Sequence, residues 1–232
     1  MNIILQHYDG QLPNWGIFAR DTMIKYAEAI GAKYELVTGN PVGWWHGPYA
    51  QKMVMLDEKY DEYEQVLMLD MDIAATNVYT DVFTIPQIGV LHSRAMTSPK
   101  KAKNGWETSS LYKQGSHLFF GNFIKLPKDM RVELRKYLDW PKFNLSIGEN
   151  RYGSDELILH YLFWNSGILK NKTFYEICMR RDGTSLDDIH IRSYDRFDRK
   201  FGNLPEESDH DASLIHFCAN RKRNLIKTIK AL

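Results

Sequence analysis

Apolar and polar positions alternate in blocks over the first 70 residues, and the blocks predict the order strand, helix, strand, helix, strand. Residues 3–7, 34–37 and Gln65–Leu69 are the predicted strands, and residues 18–30 and 49–60 are the predicted helices. Strands separated by helices of these lengths favour parallel pairing through crossover connections. Ligands on such sheets bind at the carboxyl ends of the strands.

The second half of the chain has a less regular pattern. Strands are predicted over residues 88–91 and 117–125, and helices over residues 128–138 and 154–164. Residues 97–113 are polar, rich in lysine and contain glycine, so we expect a mobile loop there.

The predicted strand Gln65–Leu69 is followed by Asp70-Met71-Asp72, after which apolar residues resume. Two acids with one residue between them lie on opposite faces of a regular strand. If the strand ends at Leu69, the chain can turn and bring both carboxylates to one point. Hard oxygen ligands suit Mg²⁺ or Mn²⁺, with a phosphate oxygen completing the coordination. The motif therefore predicts a metal–diphosphate site; the alternative is two acids in an ordinary β-turn.

Polar residues also follow the first predicted strand. Tyr8 can stack on a base, and Gln6 or Asp9 can bind the edge of the base or a ribose. Lys52, on the helix before the acid pair, can face the same cleft and meet a phosphate. The alternatives are a strand-end loop and a solvated helix lysine.

Gly121-Asn122 interrupts an apolar strand. Glycine inside a strand indicates close approach of a ligand or another backbone, or else a β-bulge, and Asn122 can hydrogen-bond a sugar hydroxyl. Asp155 follows Ser154, a typical N-cap residue, so its position alone indicates only the first turn of a helix.

A histidine lies in the last predicted apolar strand of the chain, and basic residues follow it. His216 is a ligand type that suits Mn²⁺ better than Mg²⁺. Arg221 and Lys222 suit the phosphates of a nucleotide. The alternatives are a core histidine and a solvated basic run.

Composition excludes some classes of partner. Among 232 residues, 44% are hydrophobic and 25% charged, as in ordinary globular proteins. The net charge of +1 gives no general attraction to nucleic acid or an acidic membrane. Two cysteines are too few for a disulfide framework. Without a recognisable signal peptide or a membrane-spanning apolar stretch, we expect a cytoplasmic protein.

In this order the motifs resemble those of GT-A-fold glycosyltransferases that use nucleotide sugars, a group that includes glycogenin and the bacterial lipopolysaccharide galactosyltransferases. The chain also resembles the divergent glycosyltransferase domains with which large DNA viruses glycosylate their own capsids. The resemblance covers nearly the whole chain. The group's last motif is His-x-x-Gly-x-x-Lys, which corresponds here to residues 216–222, with Ala219 in place of the glycine. The matching residues are Asp70, Asp72, Asn122, Asp155, His216 and Lys222.

The resemblance implies a Rossmann-like α/β fold with a mixed, mainly parallel sheet flanked by helices. It implies a single domain over residues 1–232, in which residues 1–90 or so bind the nucleotide. The rest, from about residue 91 onward, would bind the acceptor and supply the C-terminal metal and diphosphate segment.

The implied activity is sugar transfer from a nucleoside-diphosphate sugar, expected to be a UDP-sugar, to a glycan or glycoprotein acceptor. Mn²⁺ or Mg²⁺ would be held by Asp70, Asp72 and His216. Asp155 would be the catalytic residue, as a general base in an inverting enzyme or a sugar-orienting group in a retaining one. The residues expected to bind the cofactor or donor are Gln6, Tyr8, Asp9, Lys52, Asp70, Met71, Asp72, Asn122, Arg221 and Lys222.

Three other classes of protein fit these motifs less well. A sugar-nucleotide nucleotidyltransferase usually has a basic glycine-rich loop after its first strand, and residues 7–13 contain no lysine or arginine. A phosphohydrolase needs a later acidic pair at a strand end, which Asp187-Asp188 does not match well. A carbohydrate-binding module would explain the 13% aromatic residues but does not need the acids, histidine and cations in this order. Metal-dependent UDP binding distinguishes the transferase from such a module.

Overall fold

The structure is a computed structural model. It describes residues 1–43, 47–76, 81–84, 88–91, 119–147, 154–168, 179–180, 191–194, 213–217, 222 and 225–231. The predicted loop over residues 97–113 and the predicted phosphate ligand Arg221 lie outside these residues.

The first part of the chain forms the predicted alternation. It contains β1 (Ile3–Tyr8), α1 (Asn14–Ala29), β2 (Lys33–Thr38) and β3 (Gln65–Leu69). Helix α1 ends where Gly31 takes a φ of 70°, a left-handed conformation that glycine adopts without strain.

The connection from β2 to β3 differs from its prediction. We expected one helix over residues 49–60, whereas the chain forms a single α-helical turn, α2 (Gly47–Ala50), and then 3-10 helices at Gln51–Leu56 and Glu58–Tyr60. All six residues of Gln51–Leu56 are buried. The segment therefore lacks the exposed polar face of a surface α-helix, and its apolar content alone misled the prediction.

The remaining elements come from the second part of the chain. The strands are β4 (Ile73–Ala75), β5 (Gly89–Leu91), β6 (Phe119–Pro127), β7 (Met179–Arg180), β8 (Ile191–Tyr194) and β9 (Leu214–Phe217). The helices are α3 (Lys128–Arg135), α4 (Trp140–Ile147), α5 (Ser154–Asn165) and α6 (Leu225–Ala231). Helix α4 was not predicted; Asp139 precedes it and its carboxylate accepts a hydrogen bond from the backbone N–H of Lys142 at 3.1 Å, as an N-cap does.

The strands form a mixed main sheet with the order β2-β1-β3-β6-β5-β7. Strand β1 is parallel to β2 and β3, and β5 is parallel to β7, while β6 is antiparallel to both of its neighbours. A smaller sheet has the order β4-β9-β8, in which β9 is antiparallel to β4 and parallel to β8. Together with the flanking helices, this confirms the predicted mixed α/β class. The division of the chain near residue 90 stays a prediction.

Strand β3 is buried on both faces. Val66 and Met68 pack in one hydrophobic cluster with the 3-10 segment and α5, whereas Leu67 and Leu69 pack in another cluster with α1. This follows from the alternation of side chains along a strand. The carboxyl end of β3 is therefore fixed at the centre of the molecule, and the acid pair follows it directly. None of the described helices is both long enough and apolar enough to cross a membrane.

Candidate metal centre and its flanks

The acid turn (residues 70–73) follows β3 directly. Its backbone closes where Ile73 N donates to Asp70 O at 3.0 Å, and Asp70 N donates to Asn122 O of β6, also at 3.0 Å. The strand thus ends at Leu69, as the prediction required. Because the chain turns there, both carboxylates can approach the same point.

His216 reaches that point from the C-terminal part of the chain. In the smaller sheet it is paired with Ile73, and Phe217 N donates to Asp72 O at 2.9 Å. Its Nε2 lies 3.2 Å from Asp72 Oδ1 and 3.7 Å from Asp70 Oδ2. One potential ligand atom from each of the three residues lies within 4.8 Å of the others. The structure therefore brings together the Asp-Asp-His triad (Asp70, Asp72 and His216) that the sequence predicted.

The triad fits a divalent cation by the chemistry of its donors, two carboxylate oxygens and one imidazole nitrogen. The second ring nitrogen, His216 Nδ1, accepts a hydrogen bond from Asn122 Nδ2 at 3.1 Å, so the ring is held with Nε2 toward the acids. Asn122 Oδ1 is buried and has no hydrogen-bond partner within the described part of the chain. Asn122 therefore orients the imidazole ring and has one buried acceptor with no partner in the described part of the chain.

The charge of Asp72 is fixed by its neighbours. Burial raises the pKa of Asp72, but His216 and Lys222 lower it by more, so the pKa is held well below its usual range. For His216, burial lowers the pKa and the nearby carboxylates raise it by more. Asp72 is thus an anion at neutral pH, as a hard metal ligand must be.

The inner flank (Lys52, Gly121 and Asp155) borders the triad on its buried side. Lys52 is 8% exposed, and its Nζ donates to Asp155 Oδ2 at 2.7 Å and to Gly121 O at 2.8 Å. The same ammonium forms an ion pair with Asp70 Oδ1. Burial lowers the pKa of Lys52, but the two carboxylates raise it by more, so the lysine stays charged. These contacts exclude the alternative of a solvated helix lysine.

Asp155 lies in the first turn of α5 and is 2% exposed. Burial raises its pKa above the usual range, although Lys52 opposes that shift. A Cβ added at Gly121 would overlap this carboxyl group. Gly121 lies inside the continuous strand β6, where the pairing with β5 shifts register, as the bulge alternative expected. The close neighbour that a side chain would meet there is the Asp155 carboxyl group, not a ligand or another backbone.

The outer flank (Tyr8, Trp15 and Lys222) borders the triad on its more open side. Lys222 Nζ lies 2.8 Å from Asp72 Oδ2 and 5.0 Å from the centre of the Trp15 ring. Trp15 packs edge-to-face with Tyr8 at 6.2 Å between ring centres. Tyr8 is half-buried, and Asp9 after it is exposed. Trp15 was not predicted as a site residue, because nothing in the sequence pattern relates it to a lysine about 200 positions later.

Two predicted binding residues are directed into the protein interior. Gln6 is fully buried, and its Nε2 donates to the carbonyls of Asp70 and Ile73 at 2.9 and 3.0 Å, while its Oε1 accepts from Tyr34 Oη at 3.0 Å. We expected Gln6 to bind a base or ribose, whereas these partners are all parts of the protein. Met71 is 6% exposed and packs in a hydrophobic cluster that includes Ile215.

No protein-family model matches the chain, and no curated protein matches it. Among solved structures, one that matches is a glycosyltransferase involved in the glycosylation of the major capsid of PBCV-1. The match covers 99% of this chain and 98% of that one, with 12% sequence identity and a TM-score of 0.47. A similarity this low does not carry function from one protein to the other, so the function has to be inferred from the site.

Proposed function

We propose that this protein is a metal-dependent glycosyltransferase that moves a sugar from a nucleoside-diphosphate sugar to a hydroxyl group of a glycan or glycoprotein. The observation that carries the proposal is the Asp-Asp-His triad at the carboxyl end of a central strand, with a lysine on each side. A diphosphate carries charge that suits both a divalent cation and a lysine ammonium. The site thus has the groups needed to bind such a donor and stabilise its leaving group.

Asp70, Asp72 and His216 would hold Mn²⁺, or Mg²⁺ in its place. When bound, the metal would act as a Lewis acid that offsets the negative charge gathering on the diphosphate as the sugar–phosphate bond breaks. The low pKa of Asp72, which keeps its carboxylate charged, supports this ligand set.

Lys222 would bind the leaving diphosphate. Its side chain is 35% exposed, and Asp72 and Trp15 keep its ammonium near the triad. A fixed cation beside developing negative charge lowers the barrier because it needs little reorganisation during the reaction. Arg221 stays a prediction for the same role.

Tyr8 and Asp9 would bind the nucleoside, proposed to be uridine, at the carboxyl end of β1. This is the edge of a parallel sheet where ligands bind. The half-buried Tyr8 ring packs against Trp15 and presents an aromatic surface for a base, and the exposed Asp9 has a carboxylate for the ribose.

Asp155 would act on the sugar or on the acceptor. A buried carboxylate with a raised pKa suits a general base, which removes the proton of the acceptor hydroxyl in an inverting reaction. In a retaining reaction the same carboxylate would orient the donor sugar. The unpartnered Asn122 Oδ1 would accept a hydrogen bond from a sugar hydroxyl.

Calorimetric titration with UDP and with GDP, each with Mn²⁺ and with EDTA, tests the proposal. We expect UDP binding that requires the metal and is lost in Asp72→Ala. Asp21→Ala is the matched control, because Asp21 is an exposed acid of α1 that pairs only with its neighbour Arg20 among the described contacts. If neither nucleotide binds under any condition, the triad is not a donor site and the carbohydrate-binding alternative becomes the better one.

A further inference from the structure

The buried amide of Gln6 joins the acid turn to β1. Gln6 lies opposite Leu69 in the main sheet, one residue before the turn begins. Its side chain is 0% exposed, and its Nε2 uses both hydrogens, one on Asp70 O at 2.9 Å and one on Ile73 O at 3.0 Å. The amide thus spans the first and last residues of the turn.

This contact affects the geometry of the predicted metal ligands. Inside the turn, the backbone has the bond from Ile73 N to Asp70 O, and the side chains of Asp70 and Asp72 both project from it. Without Gln6, Ile73 O would lose a buried hydrogen bond and Asp70 O would keep only the bond from Ile73 N, so the turn would relax toward other donors. A shift in the turn would change the positions of both carboxylates relative to each other and to His216.

Tyr34 fixes the orientation of the amide. Its hydroxyl, on β2, donates to Gln6 Oε1 at 3.0 Å, so the Oε1 end faces β2 and the Nε2 end faces the acid turn. Burial raises the pKa of Tyr34 well above its usual range, and the hydroxyl therefore remains a donor at neutral pH. A continuous series of hydrogen bonds therefore joins Tyr34 to Gln6 and Gln6 to the acid turn.

We propose that Gln6 is a positioning residue of the metal centre, which holds the acid turn so that Asp70 and Asp72 remain set for a divalent cation, with Tyr34 holding Gln6 in place. This proposal depends on the proposed function in one respect, which is that the ligand of the acid turn is a divalent cation. It assigns Gln6 a role inside the protein instead of a contact with the nucleoside.

Gln6→Met and Gln51→Met form a matched pair of variants. Gln51 is also 0% exposed, and its Nε2 donates to Gly43 O at 2.8 Å and Gly47 O at 3.2 Å, while its Oε1 accepts from Val42 N at 3.0 Å. Each variant thus removes two bonds to carbonyls and one to a donor. The difference is that Gln51 holds the loop before the 3-10 segment and has no contact with the acid turn among its described hydrogen bonds.

The first readout is the affinity for Mn²⁺ alone, measured by calorimetry. For Gln6→Met we expect Kd to rise by about 10- to 100-fold, the usual effect of removing a group that orients metal ligands. For Gln51→Met we expect an unchanged Kd, even though both variants unfold at lower denaturant concentration than the wild type. A purely structural role would weaken the two variants equally and leave metal affinity alone in both.

The second readout does not need the metal. Hydrogen exchange followed by mass spectrometry on peptides that cover the acid turn reports the bond from Ile73 N to Asp70 O. Exchange there should be at least about tenfold faster in Gln6→Met than in the wild type or in Gln51→Met. Unchanged exchange in this turn would overturn the proposal.

Tyr34→Phe keeps the proposal testable if Gln6→Met does not fold. It removes only the hydrogen bond from the Tyr34 hydroxyl to Gln6 Oε1. We expect Kd for Mn²⁺ to rise by about threefold, as for the loss of one hydrogen bond. Tyr60→Phe is its control, because the Tyr60 hydroxyl donates to Glu35 at 2.8 Å instead. Equal effects of the two tyrosine variants on Kd and on exchange would contradict the inference.

The experiment also separates the two proposals. If the wild type binds no Mn²⁺, the proposed function fails, and exchange in the acid turn still decides whether Gln6 holds it. If the wild type binds Mn²⁺ and Gln6→Met binds it equally well, the metal site stands and the positioning role is wrong.

Discussion

The two lysines beside the triad are in different environments. On the inner flank the Lys52 side chain is 11% exposed and its ammonium is enclosed by Asp70, Asp155 and Gly121. On the outer flank the Lys222 side chain is 35% exposed and lies between Asp72 and Trp15. Both lysines neutralise a carboxylate of the acid pair. The difference indicates that the inner lysine belongs to the folded framework, whereas the outer one remains accessible to a charged ligand.

The largest expected difference between the flanks concerns stability. Lys52→Met leaves Asp70 and Asp155 without their shared buried cation, so we expect the free energy of unfolding to fall by about 3–5 kcal/mol. Lys222→Met removes a more exposed pair and should lower it by less than about 1 kcal/mol. Guanidinium denaturation at pH 7 measures both. Similar losses for the two variants would show that burial does not distinguish the flanks.

Asp155→Asn tests whether the inner flank also has a chemical role. The change keeps the size of the side chain and removes the charge, so we expect sugar transfer to slow by about 100- to 10,000-fold. Binding of UDP with Mn²⁺ should stay near the wild-type value, since Asp155 is not part of the triad. Glu156→Gln removes the adjacent charge and serves as the control for transfer. Near-normal transfer in Asp155→Asn would remove Asp155 from the proposed mechanism.

Gly121→Ala probes how closely the inner flank is packed. The added methyl group would overlap the carboxyl group of Asp155, so the side chain or the strand must move, at a loss of about 1–3 kcal/mol of stability. Gly16→Ala is the control, because its nearest atom would be Leu12 Cδ2, on a flexible side chain, at 3.1 Å. Thermal unfolding compares the two variants. A loss no larger at Gly121 than at Gly16 would mean that Asp155 can move away freely.

The pair of Arg135 and Asp61 provides a reference outside both flanks and has the smallest expected effect. Its hydrogen bonds of 2.7 and 3.0 Å lower the pKa of Asp61. Because the pKa is lower in the folded than in the unfolded state, about 3.9 for a free aspartate, the pair stabilises the fold above that pH. The contribution is lost as the pH falls through the folded pKa. Asp61→Asn should therefore lower stability at pH 7 by less than about 1 kcal/mol and have less effect near pH 3. Urea denaturation at the two pH values checks this, and an equal loss at both would contradict it.

The sequence was most informative where local pattern and function coincide. The apolar run of β3 stops at Leu69, and together with the residues found later in the chain this favoured a turn that brings Asp70 and Asp72 together. His216 was predicted because it lies in a short apolar strand before basic residues. The pairing of Lys52 with Asp155 was not predicted, since it joins residues 103 positions apart and depends on how α5 packs against β6.

Gln6 and the 3-10 segment show why local patterns were insufficient elsewhere. A glutamine at a strand end looks the same in sequence whether it faces a ligand or a buried turn, and only the position of β3 beside β1 decides between them. Likewise, Gln51–Leu56 is apolar enough for a helix, but all of its residues are buried. The segment therefore lacks the regular spacing of apolar and polar residues that would distinguish an α-helix from a 3-10 helix.

The pairing of β4 with β9 also has a consequence for how the chain folds. Two residues of the triad lie near residue 70, and the third, His216, meets them through β9, which follows them by more than 140 positions in the sequence. Contacts so distant in sequence form late, because closing a long loop is entropically unfavourable. During synthesis the acid pair therefore emerges from the ribosome well before its histidine. A divalent cation bound by all three residues would then slow the separation of β9 from β4 after the two strands have paired.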